Sequence, residues 1–352
     1  VNLKSNQKLL VTFVHGMHEH IPVTNDDLKP TLWCITPQSE QIHSYYFYMD
    51  GRDFHNSPYP IFGELPDVNA TLARHYRFGF TGIQIVGDDI FAGCWNGIYR
   101  LDAQTLACKG FITNRLTNYI HGFEAIENEL IFVMPFTDTV VRMDYEGNII
   151  EAFSIDNRLH IEDVDLSRDW RFELKPWAGT GGYFHINHVV KVGNQLHLTS
   201  RNLSCFIVVD LDTRDVYLRP INYYTPNLIH DGDYADDRFH FTSVDGKLII
   251  VGYKDGIEYD RAKEFHHDLL VESVTRFGDS ERNWCRGVAI TDSHYYITLD
   301  GRYGSDLSFT LQEIDKVERK PTSQKKLSWE TVGKVEDVRF VTGFGIAVYE
   351  QE

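Results

Sequence analysis

Three histidines stand just ahead of strand-like runs: His121 in NYIHGFEAIENELIFV, His188 in HINHVVKVGNQLHLTS and His230 in NLIHDGDYADDRFHFT. Imidazoles from separate segments can hold zinc, iron or another divalent metal and still leave positions for water or substrate. His185, three residues before His188, and His15, ending the first strand-like run, are further candidate ligands. Arg286, in NWCRGVAI, takes the corresponding place in a later run, where a guanidinium can orient an anionic group or stabilise developing negative charge. Asp231 directly follows His230 and Glu124 lies three residues after His121, so either carboxylate can orient an imidazole. Two plainer readings stay open: histidines that only bind waters and carbonyls, and a substrate pocket without a metal.

These residues meet only if the segments carrying them are copies of one unit placed about a common centre. Residues 79–113 divide into GIQIV, DIFAGCW, GIYRLD and CKGFIT, joined by GDD, NG and AQT, which suit tight turns. Residues 118–154 repeat the scheme with HGFEAI, ELIFVMPF, TVVRMD and IIEAFS, and residues 184–219 with INHVVKV, QLHLTS, CFIVVD and VYLR. A small antiparallel sheet has two faces to bury, and radial packing of such sheets buries both. Residues 228–275 and 286–318 are less regular units of the same kind. The front of the chain, 9–50, supplies only three obvious strands, and 336–349 is a strand-like remnant without a sheet of its own. One closure resolves both deficits: the C-terminal strand completes the first sheet and removes the exposed edges. The expected count is six, with five or seven as the alternatives that soft boundaries over 220–285 leave. A β-sandwich of repeated hairpins is the competing architecture. Short helices are conceivable at 66–77 and 262–270, and longer connections, roughly 17–30, 51–78 and 156–183, interrupt the sheets as candidate binding loops.

GIYRLDAQT, TVVRMDYEGN and CFIVVDLDTRD each end a third strand in Asp followed by a polar turn. In these features the chain resembles the β-propeller superfamily in its broad, NHL-like or YVTN-like sense. The GH…WD signature of the WD40 group is missing from the sequence. The resemblance implies an all-β fold: a single six-bladed β-propeller domain over 1–352 with four-stranded antiparallel blades. Those blades are 9–50 joined with 336–349, 79–113, 118–154, 184–219, 228–275 and 286–318. It implies no activity, because members of the superfamily are hydrolases, lyases, oxygenases or binding scaffolds. It also implies that the first strand of a blade lines the axis. The entrance to that strand then shares a face with the link between strands two and three. Trp95, Asn96, Arg201, Arg302 and Tyr303 on those links are therefore expected around the mouth as substrate-binding residues.

The formal charge of -17 repels phosphate backbones and anionic lipid, which argues against nucleic-acid and membrane partners. No run of about 18 apolar residues offers a membrane span, and VNLKSNQKLL lacks the apolar stretch of a secretory leader. A cytoplasmic location is the resulting expectation. The five cysteines show no CxxC pair and read as reduced, buried thiols. Two function classes follow. One is a zinc- or iron-dependent enzyme, of hydrolase, lyase or oxygenase type, acting on a small polar or aromatic metabolite in the axial pocket. The other is a non-catalytic propeller that presents its top face to a protein or glycan.

Overall fold

The structure, a computed structural model, describes residues 3–17, 32–36, 39–45, 57–66, 77–94, 96–172, 182–203, 205–221, 229–253, 269–277, 284–300, 308–328 and 338–350. These form six sheets, antiparallel apart from one added strand, set radially as a six-bladed β-propeller. Blade 1 runs, from the axis outward, Val338–Glu350, Gln7–Met17, Leu32–Thr36 and Ser39–Tyr45. Blade 2 is Gly82–Val86, Asp89–Cys94, Gly97–Asp102 and Cys108–Thr113, and blade 3 is Phe123–Ile126, Glu129–Met134, Thr139–Met143 and Ile149–Ile155. Blade 4 is Ile186–Val192, Gln195–Ser200, Cys205–Asp210 and Val216–Pro220, and blade 5 is Ile229–Ala235, Arg238–Ser243, Lys247–Tyr253 and Leu269–Arg276. Blade 6 is Trp284–Ile290, His294–Asp300, Ser308–Asp315 and Pro321–Ser328.

The connections read as loops contribute more than loops. Ile61–Gly63 adds a parallel edge strand to blade 2, and Ile161–Asp163 an antiparallel one to blade 3. Among the described residues the one helical element is a 3-10 turn, Trp170–Phe172, and no helix is long and apolar enough to cross a membrane. The helix considered over 262–270 falls largely outside the described residues.

Runs such as ELIFVM are apolar at every position because both faces of the strand are covered. Leu130, Phe132 and Met134 pack toward blade 2, whereas Ile131 and Val133 pack toward blade 4. An apolar cluster of this kind fills each gap between neighbouring blades, including the gap between blades 6 and 1. The aspartates that end the third strands are turn caps. Asp102 Oδ1 accepts from the N–H groups of Gln104 and Thr105, Asp144 Oδ1 from Glu146 and Asn148, and Asp210 Oδ1 from Asp212 and Thr213. Asp315 does the same in blade 6, which shows that the sixth unit follows the pattern too.

Closure comes from the C-terminal strand, which is the innermost strand of blade 1 and pairs antiparallel with Gln7–Met17 from Gln7↔Glu350 to Met17↔Val338. Gln7–Met17 is therefore the second strand of its blade. At Thr12 the ladder breaks register, and the buried hydroxyl fills the break: it accepts from Gly345 N–H at 2.8 Å and donates to Gly345 O at 3.3 Å. Thr12→Val keeps the side-chain shape and removes both bonds. We expect it to lower the unfolding free energy by about 1–3 kcal/mol, the cost of unsatisfied buried polar groups, as read from urea denaturation. An unchanged midpoint would contradict this closure.

Candidate metal centre

Four consecutive inner strands begin in the same way. Ile120, Ile186, Ile229 and Cys285 are buried apolar anchors, each in the gap between two blades. The next residues are His121, Asn187, His230 and Arg286, polar yet only 6%, 0%, 4% and 6% exposed. One step further come Gly122, His188, Asp231 and Gly287, which line an axial cavity of about 180 Å³. Register slips in the strand pairing fall between Ile186 and His188, Ile229 and Gly232, and Arg286 and Val288. Such bulges re-aim side chains that a regular strand would send to opposite faces.

His121, His230 and Asp231 converge, with one ligating atom from each within 4.8 Å of the others. The two imidazole rings lie 4.7 Å apart although their blades are separated by blade 4. Asp231 Oδ2 lies 3.0 Å from His230 Nδ1 and accepts from Gly287 N–H at 3.1 Å. Burial works against the Asp231 carboxylate, but His230, His188 and the Gly287 N–H outweigh it and hold its pKa below the ordinary value. Burial lowers the pKa of His230 and of His188, and in both Asp231 pulls the other way. Neutral imidazoles beside an ionised carboxylate are the protonation state that metal binding requires.

Buried hydroxyls fix the backbone around the cluster. Thr199 Oγ1 donates to His230 O at 2.9 Å, Thr242 Oγ1 to Asp231 O at 3.2 Å, Thr298 Oγ1 to Arg286 O at 3.0 Å, and Thr81 Oγ1 to Ile120 O at 2.6 Å. Asp138, in the link between strands two and three of blade 3, accepts from Phe184 N at 2.8 Å and Ile186 N at 3.2 Å, so it sets the entrance of blade 4. Asp138 and His185 adopt φ of 47° and 51°, and Tyr119, two residues before His121, adopts 52°. Strained left-handed backbone is thus stored where the entrances turn. Gly122 has to be glycine: a Cβ there would sit 2.5 Å from Asn187 O and 2.6 Å from His188 Nδ1. Tyr119, stacked on Phe136 at 4.3 Å, meets the His121 ring edge-on at 6.0 Å.

The other expected site residues divide. His188 lines the cavity close to Asp231 but lies outside the three-residue group. His185 is half-buried beside it, and burial, Arg201 and His230 together push its pKa down to about 3. Arg201 N–H donates to His185 O at 3.1 Å, placing this turn of blade 4 against the entrance, and Arg286 and Arg201 both act on the charge of His230. Glu124 does not turn toward His121: its Oε2 accepts from Lys191 N–H on blade 4. Asn96 is engaged locally, its carbonyl accepting from Thr113 and Thr117 hydroxyls. The His15 backbone pairs with Val341 and Phe78 on the second strand of blade 1. Its side chain, like Trp95, Arg302 and Tyr303, lies outside the described residues. All five cysteines are free thiols, and burial pushes Cys94 and Cys205 up to about 12, out of the range of a nucleophile. Asn187 escaped the sequence reading because HINH drew attention to its histidines, although position after the apolar anchor marks it.

No family model matches the chain, and no curated protein matches it. Among solved structures it is similar to the Cps50 (Swd1) β-propeller domain of Myceliophteria thermophila, at 10% identity and TM-score 0.47, covering 72% of this chain and 87% of that one. It is also similar to the Pan2 WD40 domain of Neurospora crassa (9% identity, TM-score 0.41, 70% and 65% covered) and to the hydrazine synthase of Kuenenia stuttgartiensis (11%, 0.43, 71% and 66%). The chain thus spans less than two thirds of the latter two. At TM-scores below 0.5 these likenesses say nothing of its chemistry.

Glu124 supplies a test of the contact between blades 3 and 4. Burial, opposed by the Lys191 N–H and reinforced by Asp233 and Glu129, pushes its carboxyl up to about 8 from 4.5. Between those values the folded chain keeps a proton that the unfolded chain has lost. Stability is therefore full below the unfolded value, falls as pH rises through the window and levels off above it, with a slope of at most about 1.4 kcal/mol per pH unit. Glu124→Gln retains the acceptor for Lys191 N–H and should flatten that slope. Urea denaturation of metal-free wild type and variant across the window checks this; equally steep slopes would contradict it.

Proposed function

We propose that the chain is a divalent-metal-dependent enzyme acting on a small polar or aromatic metabolite, with zinc or iron held by His121, His230 and Asp231. The observation that carries the reading is the convergence of their ligating atoms within 4.8 Å in a buried setting. Ligand atoms on one tetrahedral zinc are about 3.4 Å apart at ordinary zinc–ligand distances. The group therefore closes in by at most about 1.4 Å on taking up the ion. Two imidazoles and one carboxylate form the donor set of hydrolytic zinc sites and of non-haem ferrous sites, both of which leave positions open. Such an ion, when bound, polarises a substrate oxygen or activates water, and iron adds oxidative chemistry, so hydrolase, lyase and oxygenase classes all remain within its reach.

The chain's own residues supply the rest. Asp231 brings the negative charge, oriented by Gly287 N–H. His188 lines the cavity, and its Nδ1 has no hydrogen-bond partner among the described residues, which suits it to exchange a proton with a bound molecule. Arg286 steadies negative charge that develops beside His230. The cavity of about 180 Å³ exceeds the roughly 150 Å³ that holds a benzene.

Elemental analysis of protein purified without chelators tests the reading. One zinc or iron per chain is expected in the wild type, with a loss of at least tenfold in metal affinity in folded His230→Ala and Asp231→Asn chains. Circular dichroism verifies folding. No stoichiometric metal after reconstitution with Zn²⁺ or anaerobic Fe²⁺ would overturn the enzyme reading and favour a propeller that binds a protein or glycan on its top face.

A further inference from the structure

We infer that the molecule received in the axial cavity is a small polar amine, its ammonium group held by Asp233 on the wall of blade 5. The inference rests on the metal-dependent reading above and narrows its substrate class.

Among the described residues, Asp231 and Asp233 line the cavity and no lysine or arginine joins them. Asp231 is engaged with His230 and with Gly287 N–H. Asp233 is not paired in that way. Its carboxylate accepts from Tyr234 N–H at 2.8 Å and has no ion-pair partner among the described residues. Lys191, on the innermost strand of blade 4, has its Nζ 3.8 Å from Glu129 Oε2, and Arg286 stands at the strand entrance, outside the cavity lining. A carboxylate drawn away from water without a counter-charge is costly. This wall therefore favours a ligand that brings a positive charge.

A second metal ion does not fit the same place. Among the described residues the one group with metal-ligand spacing is His121, His230 and Asp231, and neither Asp233 nor His188 belongs to it. Asp233 stands two residues beyond Asp231, about 6–7 Å along an extended strand. One carboxylate set apart in this way matches an ammonium, which needs a single counter-charge and a few acceptors rather than a shell of ligands. Two further acceptors line the cavity. Gln84, across the axis on blade 2, makes no side-chain hydrogen bond among the described residues. His188 points to a ligand independently: it is 8% exposed, and its Nδ1 has no hydrogen-bond partner among the described residues. Buried polar groups are nearly always bonded, so such a nitrogen on a cavity wall marks a place that a ligand or water completes. Hard metal cations take oxygen ligands, whereas an imidazole nitrogen accepts an N–H. With its ammonium at Asp233, the amine leaves its other end to reach the metal.

The test uses the full chain, metal-loaded and metal-free, in sodium buffer at pH 7 and constant ionic strength. Calorimetric titration compares propylamine with propanol and benzylamine with benzyl alcohol, and potassium chloride is titrated alongside to separate an amine from a bare cation. At least one amine should bind about tenfold or more tightly than its alcohol and than potassium. Asp233→Asn keeps the side-chain shape and removes the charge, so it should weaken that amine at least about tenfold while metal content stays at the wild-type level. Gln84→Leu removes an acceptor from the opposite wall and should weaken the amine severalfold, which keeps the test informative if Asp233→Asn fails to fold. Metal-loaded chain that binds amine and alcohol equally, potassium that binds as tightly as the amine, or amine binding unchanged in the folded variants overturns the inference. Asp233-dependent amine binding by a chain that takes up no metal supports the amine site and removes the metal reading instead.

Discussion

Every blade has two apolar faces, and neither can be left in water. A single twisted sheet of four short strands buries at most one of them against a neighbour, so the sheets must close into a ring in which each serves as the other's cover. Leu9 and Val11 face blade 6 while Leu10, between them, faces blade 2. That alternation, repeated around the ring, is why the strands are apolar at successive positions and why the chain ends must meet. Removing any one gap would expose the faces of two blades at once.

The same constraint creates the site. Six innermost strands converge on one axis, with neighbouring backbones so close that Gly122 has no room for a side chain beside Asn187 and His188. At that crowded end any polar residue is forced into contact with its counterparts from other blades. His121 and His230, 109 positions apart in the sequence, become ring neighbours at 4.7 Å. Buried threonines and Asp138 then satisfy the backbone groups that the bulged entrances leave over, which holds the side chains in place.

Much of this was legible in the sequence, because its signals are local and periodic. Turn aspartates, apolar runs of four to six residues and a strand left over at each end lead to the six-bladed ring and to its closure, as the structure shows. The register at the strand entrances was not legible. A bulge shifts a side chain by one place without leaving a mark that periodicity can detect, so His188 reads as the counterpart of His121 and His230, whereas the apolar anchors put Asn187 at that rank. Asp231 illustrates a second limit. As the residue after His230 it reads as an orienting acceptor, and only the fold of blade 5 brings its carboxylate into the group of ligating atoms. Glu124 turning to Lys191 N–H is a cross-blade contact of the same non-local kind.

The centre itself is tested most directly by anomalous diffraction from crystals of the zinc-loaded chain. A single strong peak bonded at about 2.0–2.2 Å to His121, His230 and Asp231 is the expected result. A zinc ion held elsewhere on the chain, with those three side chains bonded only to one another or to water, would contradict it.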